Sequence, residues 1–267
     1  MKPLISVCLP TRNGEKTITK AIKSILSQKY KNYELLISIN ASDDKTCSIC
    51  KNFKKRNKKI KIFVQKNVLS TTENHNFIIK KTKGNFIVFI HDDDFWGANF
   101  LQDGIKKLLS DKNSVAVFGK IIRYKKNFYK KENSIHYLDG NLETRLKRFL
   151  SYNFGDKFIF SIFNKKKFKN IKFSTKIFSP EVLLIFNALM IGKILNSNKM
   201  VYYKRGKKIR NINEIGKIYN LSINFFTRHG VFILILFKIL FLKSKKIEIL
   251  KIFFLYRVSL FRIIFGT

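Results

Sequence analysis

The chain has few cysteines, few acidic residues and no long uncharged apolar run. The first and the last of these shortages exclude classes of protein. Three of its 267 residues are Cys, and the pair in Cys47-Ser48-Ile49-Cys50 has no second pair to complete a zinc site, so neither a disulfide framework nor a zinc site is predicted. No run reaches the roughly 18 uncharged apolar residues that a membrane-spanning helix needs. Met1-Lys2-Pro3 leads directly into a strand pattern with no signal peptide, so we expect a cytoplasmic protein.

Acidic residues number 17 against 54 Lys and Arg, which gives a formal net charge of +37. Such an excess usually indicates a nucleic acid or an anionic membrane as partner. The basic residues are spread through a chain that is also rich in Ile, Asn and Phe, a bias that an AT-rich genome would produce, so part of the charge is compositional background. Features of the C-terminus favour a membrane over nucleic acid.

The first hundred residues alternate between strand and helix patterns. Apolar runs predict strands at residues 4–9, 34–40, 60–65 and 85–90. Helical spacing predicts helices between them, and the residues concerned are Ile18, Ala21, Ile22, Ile25 and Leu26 in the first, a second capped by Ser42 or Asp43, and a third over 71–83. This order is a half-Rossmann layout, which is typical of nucleotide binding.

Three consecutive carboxylates, Asp92, Asp93 and Asp94, follow the fourth predicted strand directly. Ligands of open α/β sheets collect at the carboxyl ends of such strands. Adjacent carboxylates repel one another, and binding to Mg²⁺ or Mn²⁺ relieves that repulsion and can hold a diphosphate. The alternative is an acidic turn before a helix at 99–109, where Asp favours the helix dipole.

Taken together, these residues resemble the inverting family-2 glycosyltransferases, over about the first 110 residues. The segments that carry the resemblance are 6–13 (SVCLPTRN), 24–30 (SILSQKY), 34–37 (ELLI), 40–46 (NASDDKT), Asn74 and Asn76 ahead of Lys83-Gly84, and 92–96 (DDDFW). The resemblance implies an α/β GT-A fold, in which a Rossmann-like nucleotide-diphospho-sugar transferase sheet is flanked by helices, here with C-terminal amphipathic helices added.

The resemblance also implies a nucleotide pocket after the first strand, lined by Pro10, Thr11, Arg12 and Asn13, with Asn76 contributing to the same site. Asn40 falls where relatives often place an Asp that accepts a hydrogen bond from the base. An amide carbonyl can do the same, so the position is compatible with a uracil or thymine base.

Asp92, Asp93 and Asp94 match the DXD-type motif, which in the family binds the ribose and a divalent metal, Mn²⁺ or Mg²⁺. We expect Asp94 to bind the metal and Asp92 to serve the ribose side and to be the second metal ligand, with Asp93 the nearest rival. Trp96 is placed to pack on a sugar ring, although a lone Trp is more often a core residue. His91 adjoins the motif and could contact the donor or the metal.

An inverting transfer needs one general base, which takes the proton of the acceptor hydroxyl. The family places it near a helix start, and the matching context here is Ser179-Pro180-Glu181, with Ser179 as the N-cap. Glu181 is the predicted base, and the alternative is a first-turn Glu that only stabilises the helix. Arg205, or Lys204, could neutralise charge on the diphosphate.

The remaining chain is divided by its composition. Strands are predicted at 115–119 and 158–163, and a helix at 142–152. We expect a catalytic domain at 1–212, made of a nucleotide-sugar-binding half (1–110) and an acceptor half (111–212), followed by a helical segment at 213–267.

The segment from 231 onward contains two apolar stretches with embedded Lys and Arg, separated by Lys243, Lys245 and Lys246. Such stretches fit helices that lie in an anionic membrane surface, on the inner face of the plasma membrane. The alternatives are a helical lid packed on the domain or a contact between subunits of a homo-oligomer.

The functional prediction is a metal-dependent inverting glycosyltransferase that moves a sugar from a nucleotide sugar, a UDP-sugar, to a glycan or lipid-linked acceptor in cell-surface polysaccharide or lipopolysaccharide biosynthesis. The alternative is an inactive nucleotide-sugar-binding or RNA-binding protein of the same fold.

Overall fold

The computed structural model describes residues 2–125, 128–131, 138–151, 156–177, 179–206, 234–236 and 238–239. The strands are β1 (Ile5–Thr11), β2 (Tyr33–Ile39), β3 (Ile60–Val64), β4 (Phe86–Phe89), β5 (Phe95–Trp96), β6 (Ser114–Lys125), β7 (Phe128–Lys131), β8 (Ile162–Asn164) and β9 (Lys193–Arg205). The helices are α1 (Ile18–Leu26), α2 (Thr46–Arg56), α3 (Thr71–Lys80), α4 (Phe100–Leu109), α5 (Leu142–Ser151) and α6 (Pro180–Ile191), with a 3₁₀ helix at Asp156–Phe160.

All of the described strands belong to one mixed sheet in the order β3-β2-β1-β4-β8-β6-β9-β5, with β7 paired to β6. The first four strands are parallel, as the alternation of strands and helices predicts. β8 is antiparallel to both β4 and β6, and β6 therefore runs in the same direction as β4. β9 is parallel to β6, and β5 is antiparallel to β9.

Burial in the core explains why the first strands could be predicted from the sequence. Every residue of β1 and β2 is buried, so both faces of this part of the sheet are covered, and strands covered on both faces are largely apolar. The four predicted strands and three predicted helices of the first ninety residues are confirmed, each within a few residues of its expected ends.

Three local predictions are wrong. α2 begins at Thr46, and the side chain of its N-cap residue makes no capping hydrogen bond. The Thr46 N–H donates to the Asp44 carboxylate at 2.9 Å, so the predicted cap by Ser42 or Asp43 is wrong. Ser179 does occupy the N-cap position of α6, but it has φ +50° and its side chain makes no capping hydrogen bond, since a left-handed residue is not in the extended conformation typical of an N-cap.

The third error is the strand predicted at 158–163, which divides into the 3₁₀ helix and the short strand β8. Its apolar run is buried in both parts, and a short buried run looks the same in a strand and in a helix.

The far halves of β6 and β9 extend beyond the end of β4. β6 pairs with β8 at Ala116 and Val117, and further along the same edge it pairs with β7 through Ile122 to Lys125. Because β6 and β4 run in the same direction, these extensions rise beside the loop that follows β4. That loop carries the three Asp residues.

Of the C-terminal segment, only two short helical pieces belong to the described residues. Ile235 and Ile239 are fully buried in the main core, and Leu236 packs against it. This spacing is one face of a helix turned onto the domain, which favours the packed-lid alternative for this part of the segment. Within the described residues, no helix is both long and apolar enough to cross a membrane.

Candidate nucleotide-sugar and metal site

The site begins where the carboxyl ends of β1 and β4 lie side by side. The Thr11 hydroxyl donates to Asp92 Oδ2 at 2.5 Å, and the Gly14 N–H donates to Thr46 Oγ1 at 2.8 Å. A Cβ atom on Gly14 would lie 2.6 Å from Asp92 Oδ2. A larger residue at position 14 would therefore have to displace the Asp92 carboxylate and the Thr11 hydroxyl that bonds it.

The loop after β1 is held by the loop after β2. The Asn13 N–H donates to Ser42 Oγ at 3.0 Å, and Asn13 Oδ1 accepts from the Asp43 N–H at 3.2 Å. Asn13 adopts φ +54°, a left-handed conformation that Asn tolerates better than most residues. Pro10 is buried at the end of β1, and the Arg12 side chain is exposed, so the predicted pocket loop presents Arg12 and Asn13 to solvent.

Asp94 is the most constrained carboxylate of the three, and it is 2% exposed. Its Oδ2 accepts from the Tyr202 hydroxyl at 2.7 Å, and its Oδ1 accepts from the Arg205 N–H at 2.8 Å. Burial, followed by the charge of Asp93, raises the Asp94 pKa to about 7, although both hydrogen bonds and the charge of Lys204 oppose the rise. A carboxylate in this environment gains strongly from a nearby cation.

A divalent cation has a set of ligands here. Among the described residues, His91, Asp93 and Asp94 each place one ligand atom so that all three lie within 4.8 Å of one another. His91 Nδ1 is 3.8 Å from Asp94 Oδ2. Two hard carboxylate oxygens and an imidazole nitrogen suit Mn²⁺ and also fit Mg²⁺.

The structure does not bring Asp94 and Asp92 together as the predicted pair of metal ligands. Asp92 turns toward Thr11, on the side of the predicted ribose pocket, while the group that could hold a metal contains Asp93 and His91 instead. Consecutive residues of a loop point in different directions, which is why three adjacent Asp residues do not form one cluster.

Asn40 does not present its amide to a base. Its Oδ1 accepts from the Leu69 N–H at 2.8 Å, and its Nδ2 donates to the Leu69 carbonyl at 2.8 Å. The residue is 5% exposed. The side chain closes a connection between two loops, and the predicted hydrogen bond to the base is therefore contradicted by its geometry.

Asn76 and Trp96 are also occupied elsewhere. The Asn76 amide bonds both the N–H and the carbonyl of Phe173, each at 2.8 Å, so it anchors the 156–177 segment instead of a ligand. Trp96 is 3% exposed and stacks on Phe100 with ring centroids 4.4 Å apart. The core alternative therefore holds for Trp96.

Glu181 lies in the first turn of α6 and is partly buried. α6 packs on the 3₁₀ helix, whose Phe160 contacts the His91 ring with centroids 5.0 Å apart. The Arg205 side chain is exposed, and its backbone N–H holds Asp94. The base role of Glu181 and the diphosphate role of the Arg205 side chain stay predictions.

Two tyrosines of the site were not singled out from the sequence. Tyr202 is fully buried against Phe160, with ring centroids 4.3 Å apart, and orients Asp94. The Tyr124 hydroxyl donates to the Asp93 carbonyl at 2.6 Å. Both lie on strands more than twenty residues after the carboxylates, and the only signal in the sequence is the aromatic content of β6 and β9.

Comparison with known proteins identifies the family to which this site belongs. The model of the family described as "Glycosyl transferase family 2" matches residues 6–181. The chain belongs to glycosyl transferase family 2. The resemblance read from the sequence is thereby confirmed.

Two relatives of the chain are named as glucosyltransferases. The chain is 32% identical over 188 residues to the Campylobacter jejuni GalNAc(5)-diNAcBac-PP-undecaprenol beta-1,3-glucosyltransferase, covering 69% of this chain and 59% of the relative. It is 30% identical over 139 residues to the Escherichia coli UDP-Glc:alpha-D-GlcNAc-diphosphoundecaprenol beta-1,3-glucosyltransferase WfgD, covering 48% of this chain and 54% of the relative. The chain thus spans less than two thirds of either relative.

The fold of this family-2 member is also found in solved structures. Staphylococcus aureus TarS 1–349 in complex with UDP-GlcNAc superposes with a TM-score of 0.74 at 19% identity, covering 93% of this chain and 70% of TarS. The predicted GT-A fold is confirmed by this likeness and by the family match.

Proposed function

We propose that this chain is a metal-dependent inverting glycosyltransferase that uses a UDP-sugar donor. The observation that carries the proposal is the group of His91, Asp93 and Asp94, whose ligand atoms lie within 4.8 Å of one another at the end of β4, in a chain of family 2. Beside it, the Thr11–Asp92 hydrogen bond joins the loop after β1 to the loop after β4, where we assign the nucleoside.

The division of labour follows from the direction of each side chain. Thr11, Arg12 and Asn13, with Asp92, are assigned to the base and ribose, and Asp93, Asp94 and His91 to the metal. A Mn²⁺ or Mg²⁺ ion held there would neutralise the diphosphate and so stabilise it as a leaving group. Tyr202 and the Arg205 N–H fix both oxygens of Asp94, so that the carboxylate needs little reorganisation when the metal binds.

Glu181 is assigned as the general base. It would take the proton of the acceptor hydroxyl as that oxygen attacks the anomeric carbon from the face opposite the diphosphate, and this inverts the configuration. The placement of α6 against the 3₁₀ helix, whose Phe160 contacts His91, supports a position beside the donor.

The names of the relatives support the class of acceptor. The Campylobacter protein is named for a glycan on undecaprenyl diphosphate and the Escherichia protein for GlcNAc on diphosphoundecaprenol, with UDP-Glc as its donor. We assign to this chain a glycan acceptor carried on a polyprenyl diphosphate, in the assembly of a cell-surface polysaccharide. We further assign 1–212 to the catalytic domain, with 1–110 as its donor half and 111–212 as its acceptor half.

Such an acceptor is anchored in a membrane, and the enzyme would approach it from the inner face of the plasma membrane. Lys243, Lys245 and Lys246 lie outside the described residues, and we assign them to contact with anionic headgroups, where each basic residue adds about 1 kcal/mol. Changing all three to Glu should weaken sedimentation with phosphatidylglycerol vesicles at low salt. The same triple change made at Lys51, Lys54 and Lys55 of α2 is the matched control, and equal losses would remove the assignment.

The test of the catalytic proposal is a calorimetric panel of UDP, GDP and their sugars, titrated with Mn²⁺ and again with EDTA. UDP compounds should bind only with Mn²⁺, and the product formed on a GlcNAc-diphosphate-lipid acceptor should have inverted anomeric configuration by NMR. Metal-independent binding of every nucleotide would contradict the assigned metal group. Donor binding with neither transfer nor donor hydrolysis would instead favour an inactive nucleotide-sugar-binding protein.

A further inference from the structure

Four aromatic side chains lie on one face of four neighbouring strands beside the metal group. They are Phe95 on β5, Tyr203 on β9, Tyr124 on β6 and Tyr129 on β7, and we call this set the aromatic row. Phe95 pairs with Tyr203 and Tyr124 pairs with Tyr129 in the strand register. Tyr203 pairs with Ile122, two residues from Tyr124, so all four side chains point to the same face.

The rings of the row contact one another. Phe95 stacks on Tyr203 with centroids 4.4 Å apart and meets the edge of Tyr124 at 4.9 Å. Tyr129 lies 6.4 Å from Tyr124 and 6.1 Å from Tyr203. Two fixed neighbours therefore hold the Tyr129 ring in place.

One end of the row is covered and the other is open. The Lys20 ammonium, on α1, lies 3.6 Å from the centroid of Phe95 and 4.6 Å from that of Tyr124. At the other end, Tyr129 is 53% exposed. The row thus presents one ring to solvent, that of Tyr129, held from behind by its neighbours.

The row is joined to the metal group by a hydrogen bond. The Tyr124 hydroxyl donates to the Asp93 carbonyl at 2.6 Å. Tyr129 is the next ring along the row from Tyr124, on the strand that pairs with the far half of β6.

We propose that Tyr129 is the platform on which a pyranose ring of the acceptor stacks; this rests on the proposed function. The apolar C–H face of a sugar fits a flat aromatic ring, and a ring already held by its neighbours loses little entropy when it is covered. The surroundings select a sugar over a prenyl tail, because the Lys20 ammonium lies on the row's own face, 4.6 Å from the centroid of Tyr124, and places a charged group beside the rings instead of an apolar groove. Tyr129 would thereby set which acceptor sugar lies next to the donor.

The experiment is saturation-transfer NMR with methyl α-glycosides of GlcNAc and GalNAc, in the presence of UDP and Mn²⁺. These glycosides carry the two sugars that the relatives' names place in their acceptors. Wild type should bind at least one of them, and Tyr129→Ala should weaken that binding about tenfold, the loss of one aromatic contact. Tyr129→Phe, which keeps the ring, should retain it. Ile191→Ala is the matched control, because Ile191 is 50% exposed at the end of α6, just before β9 begins and so at the end of that strand opposite Tyr203.

Three results would overturn the proposal: equal glycoside binding by wild type and Tyr129→Ala, no glycoside binding by wild type, or a loss confined to farnesyl phosphate, which would make the ring a lipid contact. Calorimetry with UDP and Mn²⁺ separates this proposal from the catalytic one. Tyr129→Ala should bind UDP as wild type does, whereas a failure of wild type to bind UDP would count against the proposed function itself.

Discussion

Replacing Asp94 by Asn should stabilise the metal-free protein at neutral and alkaline pH while removing metal-dependent UDP binding. The carboxyl of Asp94 is 2% exposed, and its pKa is raised to about 7. The folded state therefore binds a proton that the unfolded chain releases near pH 4, and stability is lost as pH rises from about 4 to 7. An amide carries no charge, so it avoids this cost.

The magnitude follows from the shift in pKa. Raising a carboxyl pKa from its ordinary value near 4 to about 7 corresponds to roughly 4 kcal/mol, of which about 2–3 kcal/mol falls between pH 5 and pH 8. Asn can keep both neighbours, since its carbonyl can accept from the Arg205 N–H and its amide N–H can donate to the Tyr202 hydroxyl oxygen. The stability advantage of Asp94→Asn over wild type should therefore grow by about 2–3 kcal/mol from pH 5 to pH 8.

Urea unfolding in EDTA at both pH values measures this difference, and the comparison between two proteins cancels the titration of all other groups. Asp103→Asn, in the first turn of α4, is the control and should shift stability by less than about 1 kcal/mol at either pH. Calorimetry should show no Mn²⁺-dependent UDP binding by Asp94→Asn. Parallel pH dependences for wild type and variant would refute the argument that the buried charge is costly.

Three further outcomes are expected. Glu181→Gln should keep UDP binding and lower the transfer rate by about two to four orders of magnitude, measured as UDP release with acceptor, because a positioned base is lost. Gly14→Ala should weaken Mn²⁺-dependent UDP binding by calorimetry at least about tenfold, since its Cβ would lie 2.6 Å from Asp92 Oδ2 and must displace it. Ile235→Ala should lower the unfolding free energy by about 2–5 kcal/mol in urea, because the side chain is fully buried.

Each of these has a matched control in the chain. Glu143 is likewise acidic in the first turn of a helix, and a fall in transfer for Glu143→Gln equal to that for Glu181→Gln would reduce Glu181 to a helix-start residue. A Cβ atom on Gly97 would lie 3.4 Å from Val201 Cβ, an ordinary contact, so Gly97→Ala should bind UDP normally. Unaltered UDP binding by Gly14→Ala would contradict the importance of the contact with Asp92. Leu234 is 39% exposed, and if Leu234→Ala costs as much as Ile235→Ala, burial is not the reason.

Periodicity predicted the first half of the fold because, in that half, the faces that are buried are the faces that are apolar in the sequence. β1 and β2 are buried on both faces and are largely apolar, and α1 buries Ile18, Ala21, Ile22 and Ile25 at helical spacing. The carboxylates were also readable, because the end of a buried strand fixes where they lie.

The roles of the side-chain amides of Asn40 and Asn76 could not be predicted in the same way. Asn40 bonds the backbone of Leu69, and Asn76 bonds the backbone of Phe173, 97 residues away. An amide offers the same donor and acceptor to a peptide group as to a nucleotide base. Which of the two it meets depends on the packing of a distant segment, and no local pattern carries that information.

The metal group also shows why the donor and acceptor halves are structurally interdependent. Asp93 and Asp94 belong to the segment that reads as nucleotide-binding, yet Tyr124, Tyr202 and Arg205 of the later strands supply the hydrogen bonds that hold the Asp93 carbonyl and both Asp94 oxygens. A buried carboxylate without those donors would bear the full cost of desolvation. The first half alone therefore has the ligands of the metal site but not the contacts that orient them, and the extensions of β6 and β9 past β4 complete the site.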